Sequence, residues 1–215
     1  MKKRNIGIAL GLLGTFVLWT IAISLIDVQA VGPQGSTVGF ATLNSMFHRL
    51  TGVHMQLYTI TDWLGLVAVA FGFGFTLLGL AQWIKRKCIL KVDRSILILG
   101  AFYIVTLAVY LFFESYVINY RPVLIAGYLE ASYPSSTTLL VLCVMPTAVM
   151  QLRGRIKNRA LRKTVTFAIT AFTLFMVAGR IVSGVHWLTD IIGGILLSAG
   201  LVMIYGSLIG GKIHE

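Results

Sequence analysis

Six apolar runs, at 6–26, 60–84, 95–115, 135–152, 164–183 and 187–210, constrain this chain more than any other feature. A bilayer core takes ~20 residues of helix to cross, and each run approaches or exceeds that length. An open sheet edge cannot be satisfied in lipid, and the runs lack the strict alternation of a barrel strand. The predicted fold is therefore all-α, a polytopic membrane protein with six transmembrane helices. Composition agrees: the 215 residues are 57% hydrophobic and 12% charged, with a mean hydropathy of +0.88, outside the soluble globular range. With no internal repeat and no linker-like stretch, residues 1–215 read as a single integral membrane domain.

The placement of charge predicts orientation. A formal net charge of +11 would suit nucleic acid, but the basic residues sit in short runs between apolar segments, which suits an anionic leaflet instead. Lys2 to Arg4 precede the first run, Lys85 to Arg94 follow the second, Arg153 to Lys163 follow the fourth, and Lys212 follows the sixth. These hold 15 of the 18 basic residues and share one side, which the positive-inside rule makes cytoplasmic, along with both termini. Arg49, Arg121 and Arg180 remain for the outside. So do Asp27, Asp62, Glu114, Glu130 and Asp190, whereas Asp93 and Glu215 fall inside.

The first segment has the basic start of a signal peptide. Its apolar part, at 6–26, exceeds the ~7–15 residues of such a core, and a retained helix is expected. Cys88 and Cys143 fall on different sides in any topology drawn this way, so no disulfide framework or metal-spacing pattern is expected. Trp63 and Trp187 near outer helix ends, and Trp83 near an inner one, are placed as an aromatic belt would have them, while Trp19 lies deeper and reads as packing.

Two outer connections carry most of the polar residues. Residues 27–59 hold Pro33, His48 and His54, and Leu43, Met46, Phe47 and Leu50 are spaced for a short amphipathic helix. That helix is either a lid or an element that lies on the membrane and packs. Residues 116–134 carry Asn119, Tyr120, Arg121, Pro122 and Glu130, followed by Pro134, Ser135, Ser136 and Thr137. Pro134 suits an early position of the fourth helix, whose first-turn amides and hydroxyls are then available to an anion.

Between Val177 and Gly194 an otherwise apolar region holds Arg180, His186 and Asp190. Ionisable groups at membrane depth are costly unless satisfied, so three together require a reason. His186 and Asp190, four residues apart, are expected to share a helix face, with the carboxylate one turn beyond the ring. A carboxylate bonded to one ring nitrogen leaves the other free to attack. Arg121 and Arg180 offer bidentate guanidinium groups on the same side. Standing alone, His186 would read as an ordinary hydrogen-bonded interface residue. The set of four instead suits an anionic, phosphoryl-like transition state. No cofactor or metal is expected, because arginines and amides carry the charge stabilisation and no carboxylate cluster resembles a divalent-ion site.

These pieces resemble the type 2 phosphatidic acid phosphatase (PAP2) superfamily, in its membrane-bound branch. The family's three motifs are Lys, six residues, Arg-Pro; Pro-Ser-Gly-His; and Ser-Arg, five residues, His, three residues, Asp. Arg121-Pro122 match the end of the first, Pro134-Ser135 the start of the second, and Arg180, His186 and Asp190 the third with correct spacing. The resemblance implies a PAP2-like bundle in which His186 is a nucleophile forming a phosphohistidine and Asp190 orients it. Arg121 and Arg180 would hold phosphoryl oxygens, with Ser135, Ser136 and Thr137 completing the cradle.

The departures are equally specific. Glu114 stands where the first motif has Lys, Thr137 where the second has His, and Gly179 where the third has Ser. In the family that second-motif histidine protonates the leaving oxygen, and a threonine hydroxyl cannot act as a general acid near neutrality. Three accounts stand open: a diphosphate leaving group that needs little protonation, a proton from His48 or His54, or loss of hydrolysis. The first predicts a preference for diphosphate over monophosphate lipids. Glu114 either pairs with Arg121 or sits at a helix end. The expected function is a phosphatase or pyrophosphatase acting on a membrane lipid phosphate, such as a polyprenyl diphosphate, at the outer face of the cell membrane. The alternatives are a non-hydrolytic lipid-phosphate binding protein and a lipid phosphotransferase.

Overall fold

A computed structural model describes residues 2–210 of the chain. The expected cytoplasmic positions of Lys212 and Glu215 lie outside those residues. Seven α-helices follow in order: α1 (Lys2–Leu25), α2 (Ala41–Thr51), α3 (Met55–Arg86), α4 (Arg94–Ser115), α5 (Ser136–Arg155), α6 (Arg159–Val182) and α7 (Leu188–Ile209). All but α2 are long and apolar enough to cross a membrane. The protein is a polytopic all-α membrane bundle. The largest departures from the expected boundaries are α3 and α6, which begin at Met55 and Arg159, each more than a turn before the apolar runs at Ile60 and Thr164.

Between helices in lipid, apolar surface has nothing to gain by leaving water, so close packing and interhelical hydrogen bonds carry the association. α5 and α7 are the most enclosed spans, and α1 packs along α7. Their small residues permit this: an added Cβ at Gly193 of α7 would lie 2.4 Å from the Tyr133 ring. That ring is stacked on Phe16, and its hydroxyl shares a 2.7 Å hydrogen bond with Thr20, tying α1 to the segment before α5.

The two ends of the bundle are built differently. At one end Asp93 gathers the termini of three helices: Gln82 Nε2 donates to it at 2.8 Å, and Arg86 and Arg155 approach at 3.0 Å and 3.5 Å. Exposed pairs of this kind contribute little individually, ~0–1 kcal/mol, but they join α3, α4 and α5 in register. At the other end the connections between helices pack on one another, and the arginines left out of the basic runs gather there.

α2 lies at that second end. Asn44, fully buried, donates to Gly39 O at 2.8 Å and to Thr189 Oγ1 at 2.9 Å, while Leu43, Met46 and Leu50 stay exposed on the opposite face. An amphipathic helix with a packed side and an apolar outer side is the expected arrangement. Trp19 stacks on Phe40 with ring centroids 5.2 Å apart and donates Nε1–H to Thr189 O at 3.1 Å. It is a packing residue with a satisfied polar tip. Trp187 departs from the expected aromatic belt: only 3% exposed, it directs its indole N–H to Tyr120 O at 2.7 Å. It precedes the first turn of α7 and holds the 116–134 connection there.

Candidate active site

His186 lies in the short connection between α6 and α7, outside both helices. This corrects the helical i,i+4 argument, because the chain is helical at Asp190 but not at His186. The two side chains meet through a third. Ser132 Oγ lies 3.0 Å from His186 Nδ1 and donates to Asp190 Oδ2 at 2.6 Å. Its one hydroxyl proton is committed to the carboxylate, so it must accept from Nδ1–H, and the lone pair of the ring is left on Nε2. Arg121 Nη1 faces that nitrogen at 3.2 Å.

The carboxylate is held on every side. Asn119 Nδ2 donates to Asp190 Oδ1 at 3.1 Å, and the Trp187 backbone N–H to Oδ2 at 3.1 Å. As the third residue of α7, Asp190 thereby satisfies a donor at the helix start, where a negative charge is favoured. Ser132, His186 and Asp190 are all buried. Burial, aided by the nearby Arg121 and Arg180 guanidinium groups, pushes the His186 imidazole well below its ordinary value. The ring is neutral at physiological pH, as a nucleophile must be.

The two arginines come from different segments and share one ring. Arg180 Cζ stands 4.8 Å from the centre of the Tyr58 ring and Arg121 Cζ stands 5.6 Å from it. A π-face between like charges lowers the cost of keeping them close. Arg121 Nε lies 3.1 Å from Glu130 Oε2, without the alignment of a hydrogen bond. Glu130, not Glu114, is thus the acid beside Arg121. α4 ends at Ser115, so no helical spacing carries Glu114 toward the arginine. Glu114 is exposed and borders a small pocket with Tyr110, Ser132 and Ser136.

Arg180 is 1% exposed, and its Nη2 donates to Asp62 Oδ1 at 2.7 Å and to Thr137 Oγ1. Its Nε and Nη1 are buried without partners among the described residues. Leaving charged donors unpaired costs more than ~1–3 kcal/mol each, which an anion of the right size would recover.

The serine cradle is only partly as expected. α5 begins at Ser136 with Ser135 as its N-cap, and Pro134 lies before the cap rather than in the first turn. Ser135 is turned inward: its N–H donates to Asp190 O at 3.1 Å and its Oγ accepts from Thr138 at 3.0 Å. Ser136 and Thr137 are half-buried and face the site side. Of the two loop histidines, His54 is exposed and its Nε2 pairs with Thr51 O at 2.9 Å. His48 packs on Trp187, with ring centroids 5.5 Å apart, and its Nε2 is buried without a partner. Neither ring hydrogen-bonds to Arg180 or His186 among the described residues.

Ser132 and Tyr58 were not legible in the sequence. Both lie outside any motif, one in an irregular connection and the other in the unexpected first turn of α3. A buried ring of donors, a neutral imidazole and two guanidinium groups is a set able to bind a phosphoryl group and attack it.

The sequence profile of the PAP2 superfamily matches residues 66–210, well over half of the chain. The chain belongs to the PAP2 superfamily. Membrane lipid phosphatase activity is the general chemistry of this PAP2 protein, and the site also draws Tyr58, Asp62 and Ser132 from outside the family motifs. No curated protein matches the chain. Among solved structures it is similar to the first transmembrane PAP2 type phosphatidylglycerolphosphate phosphatase from Bacillus subtilis, with a TM-score of 0.50 and 16% identity. The likeness covers 93% of this chain and 94% of that one, and it establishes the fold.

Proposed function

We propose that this PAP2 protein hydrolyses the phosphate or diphosphate group of a membrane lipid at the non-cytoplasmic face, through a phosphohistidine on His186. The observation that carries the reading is the hydrogen-bond chain from His186 Nδ1 through Ser132 to Asp190, which leaves the Nε2 lone pair directed at Arg121. A phosphoryl group entering there has Nε2 in line for attack and Arg121 and Arg180 on its equatorial oxygens. Phosphoryl transfer asks mainly for such positioning and charge stabilisation. As the imidazole becomes positive, the Ser132–Asp190 chain stabilises it, and water then cleaves the phosphohistidine.

Support for a lipid comes from an apolar groove of about 580 Å³ between α3, α4 and α5. Gly72, Phe73, Leu107 and Leu140 line its length, and Asp62, Ser136 and Thr137 border its polar end. A hydrocarbon chain in that groove would leave its phosphate beside Arg180. The outward orientation rests on the basic runs at the opposite end, which the positive-inside rule assigns to the cytoplasm.

The test is phosphate release by detergent-purified protein from a panel of mono- and diphosphate lipids, with His186→Ala as control. Turnover by the wild type, an acid-labile phosphoenzyme and loss of both in the variant are expected. Full turnover by His186→Ala would remove the histidine as nucleophile. Label passing to an alcohol acceptor would indicate transfer, and saturable binding without turnover a binding protein.

A further inference from the structure

Thr137 leaves the leaving oxygen without a general acid, and among the described residues neither histidine ring of the 27–59 connection hydrogen-bonds to the arginine beside it. We infer that Asp62 of α3 is the proton-transferring carboxyl of this site. Three observations support the assignment. First, one nitrogen of Arg180, Nη2, bridges Asp62 Oδ1 and Thr137 Oγ1, so the carboxyl lies next to the side chain that stands in the histidine position. Second, the Asp62 side chain is 57% exposed although its partner Arg180 is 1% exposed, so it stands at the mouth of the site and still reaches into it. Third, Asp62 borders the polar end of the apolar groove, where a lipid headgroup oxygen bonded to phosphorus would sit.

The other carboxyls near the site are differently engaged. Asp190 is buried behind Ser132, Glu130 lies against Arg121, and Glu114 borders a separate pocket. Arg180 from α6 pairs with Asp62; Thr137 from α5 and Tyr58 of α3 meet the same guanidinium, and Tyr110 from α4 lines the same groove. Among the described residues only Arg180 is paired with Asp62.

The inference rests on the hydrolase reading and adds the proton transfers to it. Before substrate arrives, Asp62 neutralises Arg180. A phosphate that takes over the guanidinium displaces the carboxyl, and in the proposed cycle the carboxyl enters the bond-breaking step carrying one proton drawn from solvent. As the bond from His186 Nε2 to phosphorus forms and the bond from phosphorus to the lipid oxygen breaks, that proton passes to the departing oxygen. The resulting carboxylate then accepts a proton from the incoming water. The water oxygen bonds to phosphorus, the bond to Nε2 breaks, and phosphate leaves. When phosphate leaves, Asp62 returns that proton to solvent and pairs again with Arg180, so the sum is ester plus water to alcohol plus phosphate, with Asp62 and His186 restored.

On this account the diphosphate preference expected from Thr137 alone becomes a property of the enzyme that lacks Asp62. The experiment compares phosphate release from dodecyl phosphate, whose dodecyl alkoxide is a poor leaving group, and from dodecyl diphosphate, whose dodecyl phosphate is a good one, using the full chain in detergent. Asp62→Asn keeps a hydrogen-bond acceptor for Arg180 but cannot cycle a proton. It is expected to lose ~10²–10⁴-fold on dodecyl phosphate and less than about tenfold on dodecyl diphosphate. Adding Thr137→His to Asp62→Asn restores turnover of dodecyl phosphate. An equal loss on both substrates with no rescue by Thr137→His makes Asp62 only a structural partner of Arg180 and overturns the inference, as does unchanged turnover of both. In either of those cases the hydrolase reading survives. A wild-type protein that releases phosphate from neither substrate overturns the hydrolase reading and this inference together.

Discussion

Ser132 stands between His186 and Asp190, accepting from Nδ1 at 3.0 Å and donating to the carboxylate at 2.6 Å. The carboxylate therefore governs the imidazole through a hydroxyl instead of by direct contact. Replacing Ser132 with Ala breaks the chain while leaving both end groups in place. An outer hydrogen-bond partner of this kind is worth ~10–100-fold in activity. The loss should fall on kcat, with KM little changed, in steady-state phosphate release. A Ser132→Ala protein of wild-type kcat would show that the relay does not matter.

Tyr58 carries two guanidinium groups over its ring, and the interaction belongs to the π-face, not to the hydroxyl. Tyr58→Phe should behave like the wild type. Tyr58→Ala removes a contact worth ~0.5–2 kcal/mol and lets the arginines separate, so KM should rise by about 3- to 30-fold. Equal effects of the two substitutions would instead implicate the hydroxyl.

Burial, reinforced by the two arginines, holds His186 well below the ordinary imidazole value of 6.5. The folded state therefore favours the neutral ring, and the unfolded state binds the extra proton once pH falls below that value. The sign follows: this group costs no stability above pH 6.5, and stability declines as pH falls below it toward the folded value. For the same reason the neutral nucleophile persists into mild acid. The acid limb that His186 sets in a kcat/KM–pH profile should lie below pH 6.5, and a limb centred at or above it would contradict the buried, neutral ring.

Gly184 positions the connection that carries His186. Its φ is +65°, a left-handed conformation, and an added Cβ would sit 1.8 Å from the Gly52 carbonyl oxygen. The chain before α3 docks here, with the His54 N–H donating to Ser183 O at 2.9 Å. Gly184→Ala meets both strain and backbone collision, with an expected cost of about 2 kcal/mol or more. Thermal unfolding in detergent should fall by roughly 4–8 °C, and activity should drop with it. An unchanged midpoint would mean that the connection is free to move.

The sequence alone determined the six spans and their order, and it singled out four ionisable side chains that stand out from the apolar runs. Hydrophobic length is a local property, so a bilayer-sized run declares itself wherever it occurs, as at 60–84 and 95–115. Arg180, His186 and Asp190 were legible for a related reason, because an ionisable group in an apolar setting stands out without knowledge of its partners. Who meets whom was decided only by the tertiary structure. Ser132 reaches Asp190 from 58 residues away, and Asp62 reaches Arg180 from 118 residues away, across helices whose rotation no local pattern encodes. Helical spacing also misled where the chain was not helical, setting His186 directly on Asp190 and pointing Glu114 at Arg121. Side-chain pairing depends on the relative rotation and depth of packed helices, and those are set jointly by contacts such as Tyr133 against Gly193 rather than by any single segment.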